Sequence, residues 1–367
     1  MQFTCTQEDL TSALKHVTPA VPGKSNLPIL QHVMLRVSGE RLTLHATDLE
    51  IALSFSLDIA DGQDGAITLP GKMLQTLMAK MPEGHVTVTT DNEKHHGAIS
   101  GGAAEFTLYG LPAEEFPTVP TLPEERTFFL PGQTLREMIT RVRFAAIADE
   151  SRIILQGACF TWADGTATLV ATDTHRLAVD SRPIAGEGEA LTCIIPARAL
   201  DEMARAIGKS EKTVSLHISA SQVGLTVEGL LLVSRLIEGQ FPDYDRSMRA
   251  ESPTTITVHP GCLLHAIDRQ GVIARAESSK IFLKSGENYI ELSAQTGEGG
   301  KGRENLPASL TGPSVEAAFN ADYLHDVLSV LDTEAVMLGF DGSLRPIMIH
   351  GQGIDGYACV VMPMQIL

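Results

Sequence analysis

No apolar run in this chain of 367 residues approaches the ~18 consecutive residues that a membrane-spanning helix needs. Met1-Gln2-Phe3-Thr4 is not a basic leader running into an apolar stretch, so no secretion signal is expected. Cysteine is sparse: Cys5, Cys159, Cys193, Cys262 and Cys359 are odd in number, scattered and without a close-spaced pair. That pattern predicts reduced core thiols in a cytoplasmic protein. Bases are in deficit, with 28 Lys and Arg against 45 Asp and Glu and a net charge of −17. Phosphate binding needs bases, so this counts against nucleic acid unless the few present are gathered on one surface. With 43% apolar and 20% charged residues, the rest describes an ordinary soluble, folded protein. It is too long for one core and suits two or three domains.

Catalytic signatures are missing as well. There is no nucleophile elbow of the G-x-S-x-G type. The twelve histidines form no H-E-x-x-H set, and His95 and His96, being adjacent, cannot both face one metal from a regular strand. Gly297-Glu298-Gly299-Gly300-Lys301-Gly302 fits G-x-G-x-x-G and follows the strand-like Tyr289–Ser293, but polar residues running into Pro307 come next instead of a helix. A dinucleotide site needs a helix N-terminus there to receive the pyrophosphate, so a flexible loop is expected. Thr172-Asp173-Thr174-His175-Arg176 gathers acid, imidazole and guanidinium. The corresponding Thr47-Asp48-Leu49-Glu50 has no such chemistry, which assigns Asp48 and Asp173 a shared structural job in a turn.

What the chain does have is threefold self-similarity at a spacing of about 125 residues. Phe3-Thr4-Cys5 leads into the helix-like Leu10–Val17, Phe128-Phe129-Leu130 into Leu135–Phe144, and Ile256-Thr257-Val258 into Leu263–Ile267. Ala46-Thr47-Asp48 returns as Ala171-Thr172-Asp173, Pro70 as Pro196, and Phe116-Pro117 as Phe241-Pro242. An enzyme needs one active site, whereas three copies of one unit suggest that shape is the function.

Each repeat reads as strand, helix, several strands, helix and further strands. Thr43–Leu57 and Val86–Thr89 alternate like half-buried strands. Met73, Leu74, Leu77, Met78 and Met81 recur at helical spacing, as do Leu200, Met203, Ala204 and Ile207, then Leu324, Val327, Leu328 and Leu331. Each stripe must rest on a sheet. Two helices per repeat give six. Pro117–Arg126 and Ala250–Pro253 read as linkers, which cut the chain into domains 1–122, 123–252 and 253–367. The windows 8–18, 71–81, 133–145, 196–207, 260–275 and 319–331 contain ten bases against eight acids, +2 in sum, leaving −19 elsewhere. Lys72, Thr76 and Lys80 lie opposite the apolar stripe, as do Arg136, Thr140 and Arg143. A solvated helix face explains these as well as a phosphate-facing one does.

Six stretches closely resemble one family in order and spacing, from the first strand to the last few residues: Leu27-Pro28-Ile29-Leu30, Ala46–Glu50, Leu111–Pro117, Ala171–Leu177, Glu238–Tyr244 and Val360–Met364. It is the bacterial DNA polymerase III beta subunit, the replication sliding clamp. The resemblance implies an α+β fold of three tandem clamp domains, with helices on one face of antiparallel sheets. Two chains would close head to tail into a six-domain ring, with helices lining the hole. It implies a processivity factor that encircles duplex DNA, with no catalytic residue, no cofactor and no metal. The implied partners are double-stranded DNA held topologically without regard to sequence, a second copy of the chain and the clamp loader. The replicative polymerase and other clamp-motif proteins of repair, mismatch correction and ligation complete the set; no membrane is involved, and the setting is cytoplasmic, on the nucleoid during replication. Weakly basic inner helices suffice when topology retains the ring, and an acidic exterior keeps DNA off the wrong face.

By position, the resemblance implies DNA-facing Lys24, Lys72, Lys80, Arg141, Arg152, Arg198 and Arg205. It implies a pocket between the second and third domains for a short linear motif: Leu155, Thr172, His175, Arg176, Leu177, Pro242, Arg246, Asn320, Tyr323, Val360, Met362, Pro363 and Met364. Leu, Pro, Val and Met suit a deformable cleft that accepts many sequences, and Arg176, Arg246, Asn320 and Tyr323 would supply rim hydrogen bonds. Tyr357–Val361 reads as a closing strand. Pro363 ends the pairing and leaves Met362 and Met364 at a surface. At the dimer seam, Phe106 and Leu108, two apart and so on one strand face, would be covered by the partner's Val272 and Ile273. The chain departs from the family in Ser247, where an apolar residue is common, and in ending Gln365-Ile366-Leu367 without the usual basic residue. Glu105 beside Phe106, with Lys301 and Arg303 in the Gly-rich loop, suggests a seam ion pair of inverted sign. The competing readings are a hydrolase using Asp173 and His175, a triplicated scaffold without DNA, and a clamp paralogue devoted to repair.

Overall fold

Three successive runs of the same elements make up the chain. The structure, a computed structural model, describes residues 1–91, 95–122, 125–147, 149, 151–186, 189–248, 252–297 and 299–365, without the side chain of Arg246. The first run is β1 (Gln2–Thr6), α1 (Gln7–Val17), β2 (His32–Ser38), β3 (Arg41–Thr47), β4 (Ile51–Asp58) and β5 (Asp61–Gln63). It continues with β6 (Gly65–Pro70), α2 (Gly71–Met78), β7 (His85–Asp91), β8 (His96–Gly101) and β9 (Ala104–Tyr109). The second has β10 (Arg126–Pro131), α3 (Gly132–Arg143), β11 (Gly157–Ala163), β12 (Thr166–Thr172) and β13 (Arg176–Pro183). Next come β14 (Leu191–Pro196), α4 (Ala197–Ile207), β15 (Thr213–Ile218), β16 (Gln222–Val227) and β17 (Leu230–Arg235). After the short α5 (Asp245–Met248), the third has β18 (Thr254–Val258), α6 (Pro260–Ala274), β19 (Lys280–Ser285), β20 (Tyr289–Thr296) and β21 (Gly300–Thr311). It closes with β22 (Glu316–Asn320), α7 (Ala321–Ser329), β23 (Val336–Phe340), β24 (Ile347–Gly351) and β25 (Tyr357–Val361). The six expected helices are present; the one-turn α5 is additional.

The strands form antiparallel sheets that cross the repeat boundaries. A five-stranded sheet runs β5-β1-β7-β8-β9, and an eight-stranded one runs β10-β15-β16-β17-β4-β3-β2-β6. The third, of 12 strands, is β14-β11-β12-β13-β25-β24-β23-β18-β21-β20-β19-β22. Repeat two is joined to repeat one where Leu232 pairs with Leu53, and to repeat three where Ala178 pairs with Cys359. Two compact units result: Met1–Gln133 with Glu202–Leu236, and Thr134–Asp201 with Ile237–Leu367. They do not follow the repeats because β15–β17 belong to the sheet of repeat one and β11–β14 to that of repeat three.

Within the first unit, α1 packs on β3 and β4 and beside α2. Its start is set by Thr6, whose hydroxyl accepts from the Asp9 amide at 3.0 Å, satisfying one of the helix's orphan N–H groups. Leu10, Ala13, Leu14 and Val17 form its buried stripe, and Phe3, Leu44 and Leu53 on the strands it contacts are buried as well. In α2 the stripe is narrower than the spacing suggests. Leu74, Met78 and Met81 are buried, Leu77 is half-buried, and Met73 is 59% exposed. In the second unit α6 rests on β19–β21 and beside α7, whose Leu324, Val327, Leu328 and nearby Leu331 are buried. Phe319 meets Phe340 edge-on at 6.3 Å in the same core.

Two expectations are corrected. Gly300–Arg303 is not loop but the start of β21, paired with β20 from Thr296 to Ser293; Gly297 and Gly299 turn the hairpin, and Glu298 lies outside the described residues. Cys262 is exposed, unlike Cys5, Cys159 and Cys359, which are buried. Burial pushes the Cys5 and Cys193 thiols up to about 12 and that of Cys159 to about 11, so these are packing groups. Of the expected linkers, Pro117–Leu122 has no regular structure; Pro123, Glu124, Ala250 and Glu251 lie outside the described residues.

His45 gives the eight-stranded sheet a pH dependence. Its Nδ1 lies 2.7 Å from Ser54 Oγ, and burial, helped by Arg36, lowers its pKa from 6.5 to about 4. The unfolded chain therefore binds this proton across that window while the folded chain does not, so stability falls as pH drops from 6.5 to 4. The variant His45→Gln should flatten that part of a plot of denaturation midpoint against pH.

Candidate functional site

Thr172 and Asp173 build a turn that repeat one reproduces bond for bond. Thr172 Oγ1 donates to Arg176 O at 2.7 Å and accepts from the Thr174 amide. Asp173 Oδ1 accepts from the amides of His175 and Arg176. Thr47 and Asp48 make the same bonds to Ile51, Leu49 and Glu50. The third residue is left-handed in both, with φ 76° at Thr174 and 79° at Leu49. The expected shared turn is present. It also removes the hydrolase geometry, because Asp173 binds backbone amides and the Arg176 Nε rather than the His175 ring.

The second turn opens onto a cavity of about 180 Å³ where β13 pairs with β25. Thr172, His175, Arg176, Leu177, Pro242, Val360 and Met362 line it, all among the expected pocket residues. Leu177 and Val360 pair across the two strands and form its buried apolar floor. Met362 stands at the mouth, 42% exposed, with its amide donating to His175 O at 2.8 Å. Beyond it the tail stays attached. Pro363 and Met364 are half-buried, the Met364 amide donates to Ala318 O, and Lys280 Nζ donates to Gln365 O. Ile366 and Leu367 lie outside the described residues.

Other pocket residues are placed differently. Leu155 is buried in a single helical turn, Ile153–Gln156, off the lining. Asn320 caps α7 through the Asp322 amide at 2.8 Å. Tyr323 stacks on His175 with ring centroids 6.1 Å apart, outside the cavity wall. Arg246 falls on α5, but its side chain lies outside the described residues.

Arg176 is anchored within its own chain. Its guanidinium donates to Asp173 Oδ2 at 3.1 Å, Asp326 Oδ2 at 2.6 Å and Phe144 O at 2.8 Å. It lies over the Phe144 ring at 5.2 Å and the Tyr323 ring at 4.6 Å, with 11% of the side chain exposed. Three of its five N–H groups hold Asp173, Asp326 and Phe144 O, which fixes the turn beside Tyr323. Thr174, Asp243, Tyr244, Ser247 and Pro346 complete the lining. Of these, Thr174, Asp243 and Tyr244 lie in the stretches that carry the resemblance and Ser247 departs from it, so only Pro346 had no sequence signal. Pro346 became visible through pairing, because Ile347 opposes Val361 and so sets Pro346 beside Met362.

The expected DNA-facing bases divide by unit. In the first, Lys24, Lys72 and Lys80 are exposed and have no ion-pair partner among the described residues. A Cβ on Gly23 would stand 3.4 Å from Lys72 Nζ, which places Lys72 beside the loop carrying Lys24. Arg205 is 61% exposed but bonded to Glu202. In the second, Arg152 and Arg198 are exposed, Arg152 donating to Thr174 Oγ1. Arg141 is 14% exposed and faces the fully buried Asp180 at 3.2 Å, so its charge is already answered.

The seam residues divide too. β9 is a sheet edge with Phe106 43% exposed, whereas Leu108 is already buried in its own unit and leaves nothing for a partner to cover. Val272 on α6 is 76% exposed, while Ile273 is half-buried over Gly302, where an added Cβ would come 3.0 Å from Ile273 Cδ1. Glu105 and Lys301 are exposed, but Arg303 is paired with Glu291 of its own chain.

Residues 1–120, 129–243 and 247–365 match the N-terminal, central and C-terminal domains of the DNA polymerase III beta subunit in turn. A Staphylococcus aureus beta sliding clamp is 28% identical over 375 aligned residues, covering 100% of this chain and 99% of the relative. The DNA polymerase III subunit beta of Pseudomonas aeruginosa superposes with TM-score 0.94 at 29% identity, and the DNA polymerase sliding clamp of Bacillus subtilis with 0.95 at 26%. Both alignments cover 100% of each chain.

Proposed function

Because the chain belongs to the DNA polymerase III beta subunit family, we propose that it is a sliding clamp without catalysis of its own. It encircles duplex DNA as a head-to-tail homodimeric ring and tethers the replicative polymerase. The observation that carries this reading is the succession of three family domains through residues 1–365 in the family's order. The proposed domain boundaries fall near residues 122 and 252. Among the described residues no helix is long and apolar enough to cross a membrane; we place the protein in the cytoplasm, on the nucleoid.

The proposed DNA face consists of Lys24, Lys72, Lys80, Arg152, Arg198 and Arg205, without Arg141. A few weak phosphate contacts allow sliding, because closure of the ring and not affinity retains it. The cavity at Met362 takes the short motifs of the polymerase, the clamp loader and repair, mismatch-correction and ligation proteins. Its apolar floor and methionine gate support that reading.

The seam is tested by Phe106→Asp. Burying a phenylalanine is worth about 1.5–3 kcal/mol, and a carboxylate buried there adds a desolvation cost. Sedimentation should change from a species of two 39.4 kDa chains to one chain. A variant that remains dimeric at micromolar concentration would place the seam elsewhere.

A further inference from the structure

The first unit has a second cavity, built on the twin turn, that the clamp reading does not use. It measures about 240 Å³, and its lining includes Leu49, Glu50, Ile51, Pro117, Val233 and Arg235. These match the Met362 cavity position by position: Leu49 stands for Thr174, Glu50 for His175, Pro117 for Pro242 and Arg235 for Met362. The closure repeats as well. The Arg235 amide donates to Glu50 O at 3.2 Å, as the Met362 amide does to His175 O at 2.8 Å.

The chemistry of the two cavities differs. Glu50 and Arg235 are both exposed at the cavity, and neither side chain has an ion-pair partner among the described residues. Leu49 is left-handed at φ 79° and 47% exposed. The twin turn holds Thr174 at φ 76°, so the conformation belongs to the turn and the exposed leucine is what needs a reason. Folding gains nothing from leaving that leucine in water at the cavity, and its exposure points to an apolar contact made with something outside the chain.

We propose that this cavity binds an extended peptide segment of a second protein. An apolar side chain of the peptide rests on Leu49, Ile51 and Pro117. A basic one faces Glu50 and an acidic one faces Arg235. The inference rests on reading the Met362 cavity as a peptide site, because the two share one architecture. A partner with two suitable segments would then gain orientation and avidity from a single chain.

The probe is a fluorescein-labelled six-residue peptide with Lys, Leu and Glu at alternate positions and Thr between them, titrated into the full-length protein. Saturable anisotropy is expected, weakened at least tenfold by Leu49→Gly, which keeps the backbone of the turn. The double variant Glu50→Lys, Arg235→Glu should lose the probe and bind the peptide with its two charges exchanged. An unlabelled clamp-binding segment of the cognate polymerase should not displace the probe. No saturation below millimolar concentration, or no response to either variant, overturns the proposal. Displacement by the polymerase segment overturns it too, by putting the probe in the Met362 cavity. Failure of the underlying reading shows separately, as a polymerase segment that does not bind at all.

Discussion

Replacing Met362 with glutamate will abolish capture of a polymerase clamp-binding peptide while leaving the protein folded. Met362 is 42% exposed and stands above the floor of Leu177 and Val360. A carboxylate there must be desolvated when an apolar peptide side chain enters, and Arg176, the guanidinium of the lining, already answers Asp173 and Asp326. A loss of roughly 100-fold or more in Kd, about 2.8 kcal/mol, is expected. Because the side chain is not core, the melting temperature should stay near that of the parent. Anisotropy and thermal unfolding on the same preparations check both halves. A loss below fivefold would mean that the peptide does not enter this cavity.

The second large effect is on the fold beneath that cavity. Arg176→Gln leaves Asp173, 12% exposed, without its guanidinium, and removes the cation from between Phe144 and Tyr323. Breaking a buried pair by removing one partner costs about 3–5 kcal/mol, and a value toward the lower end is expected because Asp173 keeps the amides of His175 and Arg176. The denaturation midpoint of the second unit should fall accordingly, and peptide binding should fall with it as His175 and Tyr323 lose their support. Lysine at 176 should recover only part of the loss, since an ammonium cannot reach Asp173, Asp326 and Phe144 O together. If Arg176→Gln melts like the parent and only binding falls, Arg176 contacts the ligand directly.

Much of this was legible in the sequence because local chemistry specifies it. A Thr-Asp pair that caps its own turn is a local device, so Thr47-Asp48 and Thr172-Asp173 marked equivalent places. Helical stripes such as Leu324, Val327 and Leu328 are local too. What stayed hidden depends on partners far along the chain. Alternation in β4 or β13 shows which side chains face a core but does not name the neighbouring strand, so the β17–β4 and β13–β25 joins could not be read. The same holds for Arg176, whose partner Asp326 lies 150 residues away, and for Leu108, which its own unit covers. Pro346 enters the site only through strand register.

The most direct test of the clamp reading is retention on DNA of defined topology. The protein is loaded by its cognate loader onto a closed circular duplex, separated by gel filtration, and the circle is then cut once. A ring that holds DNA by encirclement will co-elute with the circle and be lost on linearisation, at a salt concentration that leaves the circular complex intact. Protein that stays bound after the cut, or never co-elutes with the circle, would contradict the account.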